Sequence, residues 1–210
     1  MSPFLRNIGQ VSKAESISLS TRSGRRKFGG KFFRNIGVLR AASSSYNYTT
    51  SWGLDTNSSD NALYTFRQVL KAAVFTQSGS SVIVTFQAGS TNLVIDGAYI
   101  GAQGAGDAYD FAATPVQLLF GGSGSVEITA GATQASDTAS ISITASGVYV
   151  VSMYFSTLTK GSMKQTNDDL QANTANYYKL ASDAATVDAT GYTGPDADQY
   201  AVKSIQVFGP

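Results

Sequence analysis

The chain has 210 residues and a mass of 22.0 kDa, enough for one domain with a substantial core and room for an extension. It contains no cysteine and no histidine, which excludes disulfides, thiolate metal sites, cysteine nucleophiles, serine–histidine relays and the usual imidazole base or zinc ligand. Only 14% of residues are charged, and the net charge of +1 hides a division: residues 1–40 carry nine Lys/Arg and one acid, net +8, whereas residues 41–210 carry six and thirteen, net −7.

Residues 1–40 read as an extended basic arm. Apolar residues are sparse there, and the stretch 20–31 (STRSGRRKFGGK) is glycine-rich and cationic, a composition that cannot bury enough surface to fold by itself. Phe4, Leu5, Arg6, Asn7, Ile8 and Gly9 recur as Phe32, Phe33, Arg34, Asn35, Ile36 and Gly37, five of six positions identical at an offset of 28 residues. Two copies are too few for a solenoid. They read as two copies of one docking peptide, each offering an aromatic anchor, an arginine and an isoleucine. Phe4, Arg6, Asn7, Ile8, Phe32, Phe33, Arg34, Asn35 and Ile36 are the candidate partner-docking residues. Tethering two such peptides makes the second contact intramolecular and raises avidity. Phosphate neutralisation by Arg25, Arg26 and Lys27 is the competing reading of the arm, with nucleic acid as partner.

Residues 41–61 read as a polar linker or surface loop that carries Trp52, the only tryptophan. A β domain then fills 62–210. Apolar–polar alternation broken by Gly, Asn, Asp and Ser predicts strands at 63–71, 81–88, 92–100, 115–120, 124–129, 138–144, 147–156, 175–180 and 199–208. In 147–156 both alternating sets are apolar, so that strand should be covered on both faces. A short helix is expected near Asn167–Ala172. The fold class is all-β: a two-sheet antiparallel, jelly-roll-like sandwich with an extended N-terminal arm. The uncharged run 138–159 alternates with Ser and Thr, so it reads as strands and not as a membrane span, and the first twenty residues lack the apolar stretch of an export signal.

Chemistry-bearing patterns are few. Gly101, Gly104 and Gly106 ahead of Asp107 have the wrong spacing for a dinucleotide fingerprint and read as a loop between strands. Three acidic groupings (Asp96, Asp107 and Asp110; Asp55, Asp60 and Asn61; Asp196 and Asp198) lack the EF-hand spacing and read as turn carboxylates. Glu127 and the aspartates offer acids for a glycosidase pair, but nothing in the sequence sets two of them face to face. No catalytic residue, metal site or cofactor is assigned. Aromatic residues are the better lead, because sugar-binding sandwiches stack pyranose rings on Tyr or Trp. The candidates for glycan binding are Trp52, Tyr99, Tyr109, Tyr177, Tyr178 and Tyr192.

Several strings then carry a resemblance: Tyr64–Leu70 (YTFRQVL), Val84–Gly89 (VTFQAG), Gly97–Gly101 (GAYIG), Gly106–Ala112 (GDAYDFA), Leu119–Gly122 (LFGG), Val151–Ser156 (VSMYFS) and Tyr177–Lys179 (YYK). Over about 62–208 the chain resembles a β-sandwich module of bacteriophage and prophage virion proteins, a module also found beside SGNH-type esterase domains. The esterase machinery does not carry over, since Ala108 follows Gly106 and Asp107 where a nucleophilic serine is needed. The resemblance implies a non-catalytic virion protein, made in the host cytoplasm and built into the particle. Its expected partners are capsid or tail subunits, further copies of itself in a homo-oligomer, and host glycans. The arm would anchor it.

Overall fold

The computed structural model describes residues 42–47, 54–55, 61–166, 174–196 and 199–209. These belong to the second of the two units into which the chain divides, Leu39–Pro210. The arm with its two hexapeptides, Trp52 and the expected helix at Asn167–Ala172 lie outside the described residues.

The strands in chain order are β1 (Ala42–Asn47), β2 (Leu54–Asp55), β3 (Asn61–Leu70), β4 (Gly79–Gln87), β5 (Leu93–Ile95), β6 (Gly97–Ala102), β7 (Val116–Leu118) and β8 (Val126–Ile128). They continue with β9 (Thr133–Ala135), β10 (Ala139–Ile143), β11 (Tyr149–Leu158), β12 (Lys164–Thr166), β13 (Thr174–Leu180), β14 (Thr193–Asp196), β15 (Gln199–Tyr200) and β16 (Val202–Phe208). One turn of 3-10 helix, Ala72–Val74, follows β3. The described pairings are antiparallel.

Two large sheets make the sandwich. One has the order β1-β16-β4-β10, with β9 also on β4; the other has the order β14-β13-β3-β11-β6-β7. The chain crosses between them from β1 to β3, from β3 to β4, from β4 to β6, from β7 to β9, from β10 to β11 and from β14 to β16. This alternation makes the architecture the all-β antiparallel sandwich that the strand spacing indicates. Small sheets, β15-β12-β2 and β5-β8, complete it.

The core follows from alternation along the strands. In β4, Val82, Val84 and Phe86 are buried and the residues between them are not fully so. They meet Phe66, Leu70, Val151, Met153 and Phe155 of the second sheet and Ile205 and Val207 of β16 in one apolar cluster. β11 is buried at both alternating sets, as its sequence requires, because β3 and β6 flank it and its outer face is covered as well. That outer face carries a smaller cluster of Val69, Phe111 and Val150. The β10–β11 turn is tied by one phenol: the Tyr149 hydroxyl accepts from the Thr144 N–H at 2.7 Å and donates to the Ser142 carbonyl at 3.2 Å.

Several boundaries differ from the sequence expectation for physical reasons. The segment 41–61, expected as linker or loop, contains β1 and β2, and β1 completes the edge of a main sheet beside β16. The run 92–100 is split into β5 and β6 at Asp96, whose N–H donates to the Tyr154 carbonyl and whose carboxylate accepts from the Ser156 N–H at 2.6 Å. The run 199–208 is split at Ala201, which has a φ of 56° in the left-handed region. Three short strands, β9, β12 and β14, lie where no alternation was legible.

Candidate functional site

Strand β3 is central in its sheet, so its two side-chain sets face different surroundings. Phe66 and Leu70 join the main core, whereas Val69 joins the outer cluster. Arg67 lies on Val69's side and is fully buried. In register it stands between Tyr177 of β13 and Ser152 of β11, with Tyr99 of β6 beyond Ser152. A guanidinium removed from water must be repaid with acceptors. The acceptors come from two loops that cross this face, 103–115 and 181–192.

One terminal nitrogen of Arg67 donates to the Tyr109 carbonyl at 2.8 Å. The other donates to the Asp183 carbonyl at 3.0 Å and to the Thr186 carbonyl. The cation also lies over the rings of Phe111, at 4.7 Å, and Tyr192, at 5.2 Å. Its neighbour on the same face, Thr65, donates its hydroxyl to the Ala181 carbonyl at 2.6 Å and accepts from the Asp183 N–H at 3.3 Å. The loops are also bonded directly to each other, Phe111 N–H to the Val187 carbonyl at 3.0 Å and Ala189 N–H to the Asp110 carboxylate at 3.1 Å. Arg67 therefore clasps both loops to the sheet.

Three of the aromatic candidates meet on this clasp. The ring of Tyr109 is 5.0 Å from that of Tyr177 and 4.8 Å from that of Tyr192. Tyr109 donates its hydroxyl to Asp107 at 2.7 Å, and Tyr192 donates to Asp183 at 2.6 Å. Lys179 donates to the other Asp183 oxygen at 3.0 Å. Tyr99 packs against the same outer cluster. Tyr178 points the opposite way and packs on the main core, its ring 6.0 Å from Phe66 and 6.5 Å from Tyr64. Among these tyrosines Tyr109 is buried, whereas Tyr99, Tyr177 and Tyr192 are half-buried.

The electrostatics agree with this geometry. Burial alone would raise the Asp183 carboxyl, but the bonds from Tyr192 and Lys179 and the charges of Lys179 and Arg67 outweigh it and hold it below its ordinary value. The Tyr192 phenol is pushed far up, by burial first and by its bond to the Asp183 carboxylate second. Tyr109 is raised chiefly by its bond to Asp107, and Tyr177 by burial and then by the charge of Asp107.

The acidic groupings come apart in three dimensions. Asp96 serves Ser156. Asp107 and Asp110 form a closed turn in which the Asp107 N–H donates to the Asp110 carboxylate at 2.8 Å. A Cβ at Gly106 would lie 2.6 Å from an Asp110 carboxylate oxygen, so a larger residue there would displace the carboxylate from this turn. The side chains of Asp55, Asp60, Asp196 and Asp198 lie outside the described residues, as does that of Asn61. Glu127 accepts from the Asn92 amide at 2.7 Å. Among the described residues, no group of three or more acidic side chains is disposed to hold a metal ion, and no helix is long and apolar enough to cross a membrane.

Arg67, Thr65, Phe111, Lys179 and Asp183 escaped sequence reasoning. The available signal was Arg67 itself, a lone charge in the apolar run Tyr64–Leu70, where a central strand must either exclude a charge or build acceptors for it. Neither the family models nor the curated proteins compared with this chain match it.

Proposed function

We propose that this is a structural protein of a bacteriophage virion, made in the host cytoplasm, that acts by binding and not by catalysis. Its basic N-terminal arm anchors it to capsid or tail subunits, and its sandwich stands at the particle surface. The observation that carries this reading is the duplicated hexapeptide at Phe4–Gly9 and Phe32–Gly37, in an arm of net +8 ahead of a body of net −7. The body supports it: loops that in a ligand-gated protein would move are here clasped to the sheet by a buried arginine. A salt-sensitive pull-down of acidic virion subunits by the full chain tests the reading. The double variant Arg6→Ala plus Arg34→Ala should abolish it. Unchanged capture by that variant would contradict the docking role of the repeat.

A second reading is recognition of host-surface glycans by the sandwich, and the meeting of Tyr109, Tyr177 and Tyr192 beside Asp107 and Lys179 favours it. Binding on a glycan array that disappears with Tyr177→Ala and Tyr99→Ala would support it. A receptor-binding virion protein would do both.

A further inference from the structure

The middle of β3 carries two polar side chains on opposite faces. Arg67 turns outward into the clasp, and Gln68, the next residue, turns inward. Phe66 and Leu70, which flank Gln68 on its own face, belong to the main core, and so does Val151, its cross-strand partner on β11. On the other side Gln68 stands opposite Asn176 of β13. Asn176 shares its face with Tyr178, which packs on the same core. One rung of the inner face thus runs Asn176, Gln68, Val151, Ile100 across β13, β3, β11 and β6. Amides stand at one end of it and aliphatic side chains at the other.

Gln68 is 0% exposed and Asn176 is 2% exposed. Gln68 Nε2, Gln68 Oε1 and Asn176 Nδ2 have no hydrogen-bonding partner within the protein. Neighbouring strands therefore bring two donor nitrogens and an acceptor oxygen together inside the sandwich. Amides left so would forfeit the hydrogen bonds that they make to solvent in the unfolded chain. The chemistry of the rung selects what satisfies them. It carries no charge, so it offers an anion no counter-charge and a metal ion no anionic oxygen. It presents donors and an acceptor at once, which suits a small neutral molecule that both accepts and donates, and water is that molecule.

We propose that Gln68 and Asn176 hold a pair of internal waters between the two sheets. Nε2 and Oε1 of Gln68 diverge from one carbon, so a single water cannot bond to both in good geometry. One water accepts from Nε2 and the other donates to Oε1. Asn176 Nδ2, across the rung, donates to the nearer of them. The waters are then part of the core, and they let two adjacent strands carry amides where their neighbours carry Phe, Leu and Val.

Oxygen-17 relaxation dispersion of the full-length protein tests this, since it counts waters held for longer than the molecule takes to tumble. The variant is Gln68→Leu plus Asn176→Leu, which removes donors and acceptor together and strands neither amide. Arg67 Nε and Ser152 Oγ, also without partners, lie on the opposite face of the sheet and are untouched, so the difference from the wild type reports the inner rung. The dispersion should fall by the equivalent of about two waters. An unchanged amplitude in the folded variant overturns the proposal. If the variant does not fold, the wild type decides alone. In nitrogen-15-labelled protein the side-chain amide protons of Gln68 and Asn176 should show direct cross-relaxation with long-lived water, and its absence overturns the proposal equally.

Discussion

Arg67 is the residue on which the outer face depends. It has exchanged water for the carbonyls of Tyr109, Asp183 and Thr186 and two aromatic faces. Arg67→Met keeps much of the volume but leaves those carbonyls without a donor. It should cost about 3 kcal/mol or more in denaturant unfolding, and amide exchange in 181–192 should accelerate first. Asp183 adds a pH dependence of known sign. Its folded carboxyl lies below the ordinary value of 3.8, so its contribution is complete above that pH and is lost as pH falls further through the folded value. Thermal melting of the wild type should therefore drop in that acid range more steeply than that of Asp183→Asn. If the two melting curves ran parallel against pH, the carboxylate would carry no weight in the clasp. At the other extreme, the phenol of Tyr192 should remain protonated in ultraviolet titrations at pH values where exposed tyrosines ionise.

At the scale of elements, the sandwich is held by strands whose two faces do different work. Phe155 of β11 is fully buried in the main core, and Phe155→Ala should cost about 3–5 kcal/mol by leaving a cavity between the sheets. Gly79 begins β4 where a Cβ would lie 2.4 Å from the Phe208 carbonyl oxygen and 2.5 Å from a Val207 methyl. Gly79→Ala should therefore lower the melting temperature by pushing β16 off the edge of β4, whereas the same change at Gly131, with open space around it, should act only through its positive φ of 71°. The long strands were legible because burial writes alternation into sequence: Val82, Val84 and Phe86 on one face, and two apolar sets in 147–156. The short ones were not. Thr133–Ala135 is exposed throughout and pairs with β4 through its backbone, and β1 is a serine-rich run whose pairing with β16 leaves no hydrophobic signature. The clasp was half legible. Tyr109, Tyr177 and Tyr192 were singled out as aromatics, but their meeting depends on loops 103–115 and 181–192 folding over the same strand, a long-range event that no local pattern encodes.

At the scale of the whole molecule, composition and charge division frame the account. A body poor in charge and closed by two sheets is suited to standing in an assembly, and a cationic arm with a repeated peptide is suited to holding it there. The strand order, with its repeated crossings between sheets, leaves the loops 103–115 and 181–192 on one outer face. Glycan recognition on that face and anchoring through the arm would use separate parts of the chain, so Tyr177→Ala should not alter capture of virion subunits. The central claim is that the arm makes the body part of an assembly. Light scattering of the full chain and of a chain begun at Leu39, each mixed with isolated virion subunits at low and high salt, tests it most directly. The account predicts salt-sensitive co-assembly for the full chain and a monodisperse, unassociated body for the shortened one; equal behaviour of the two would contradict it.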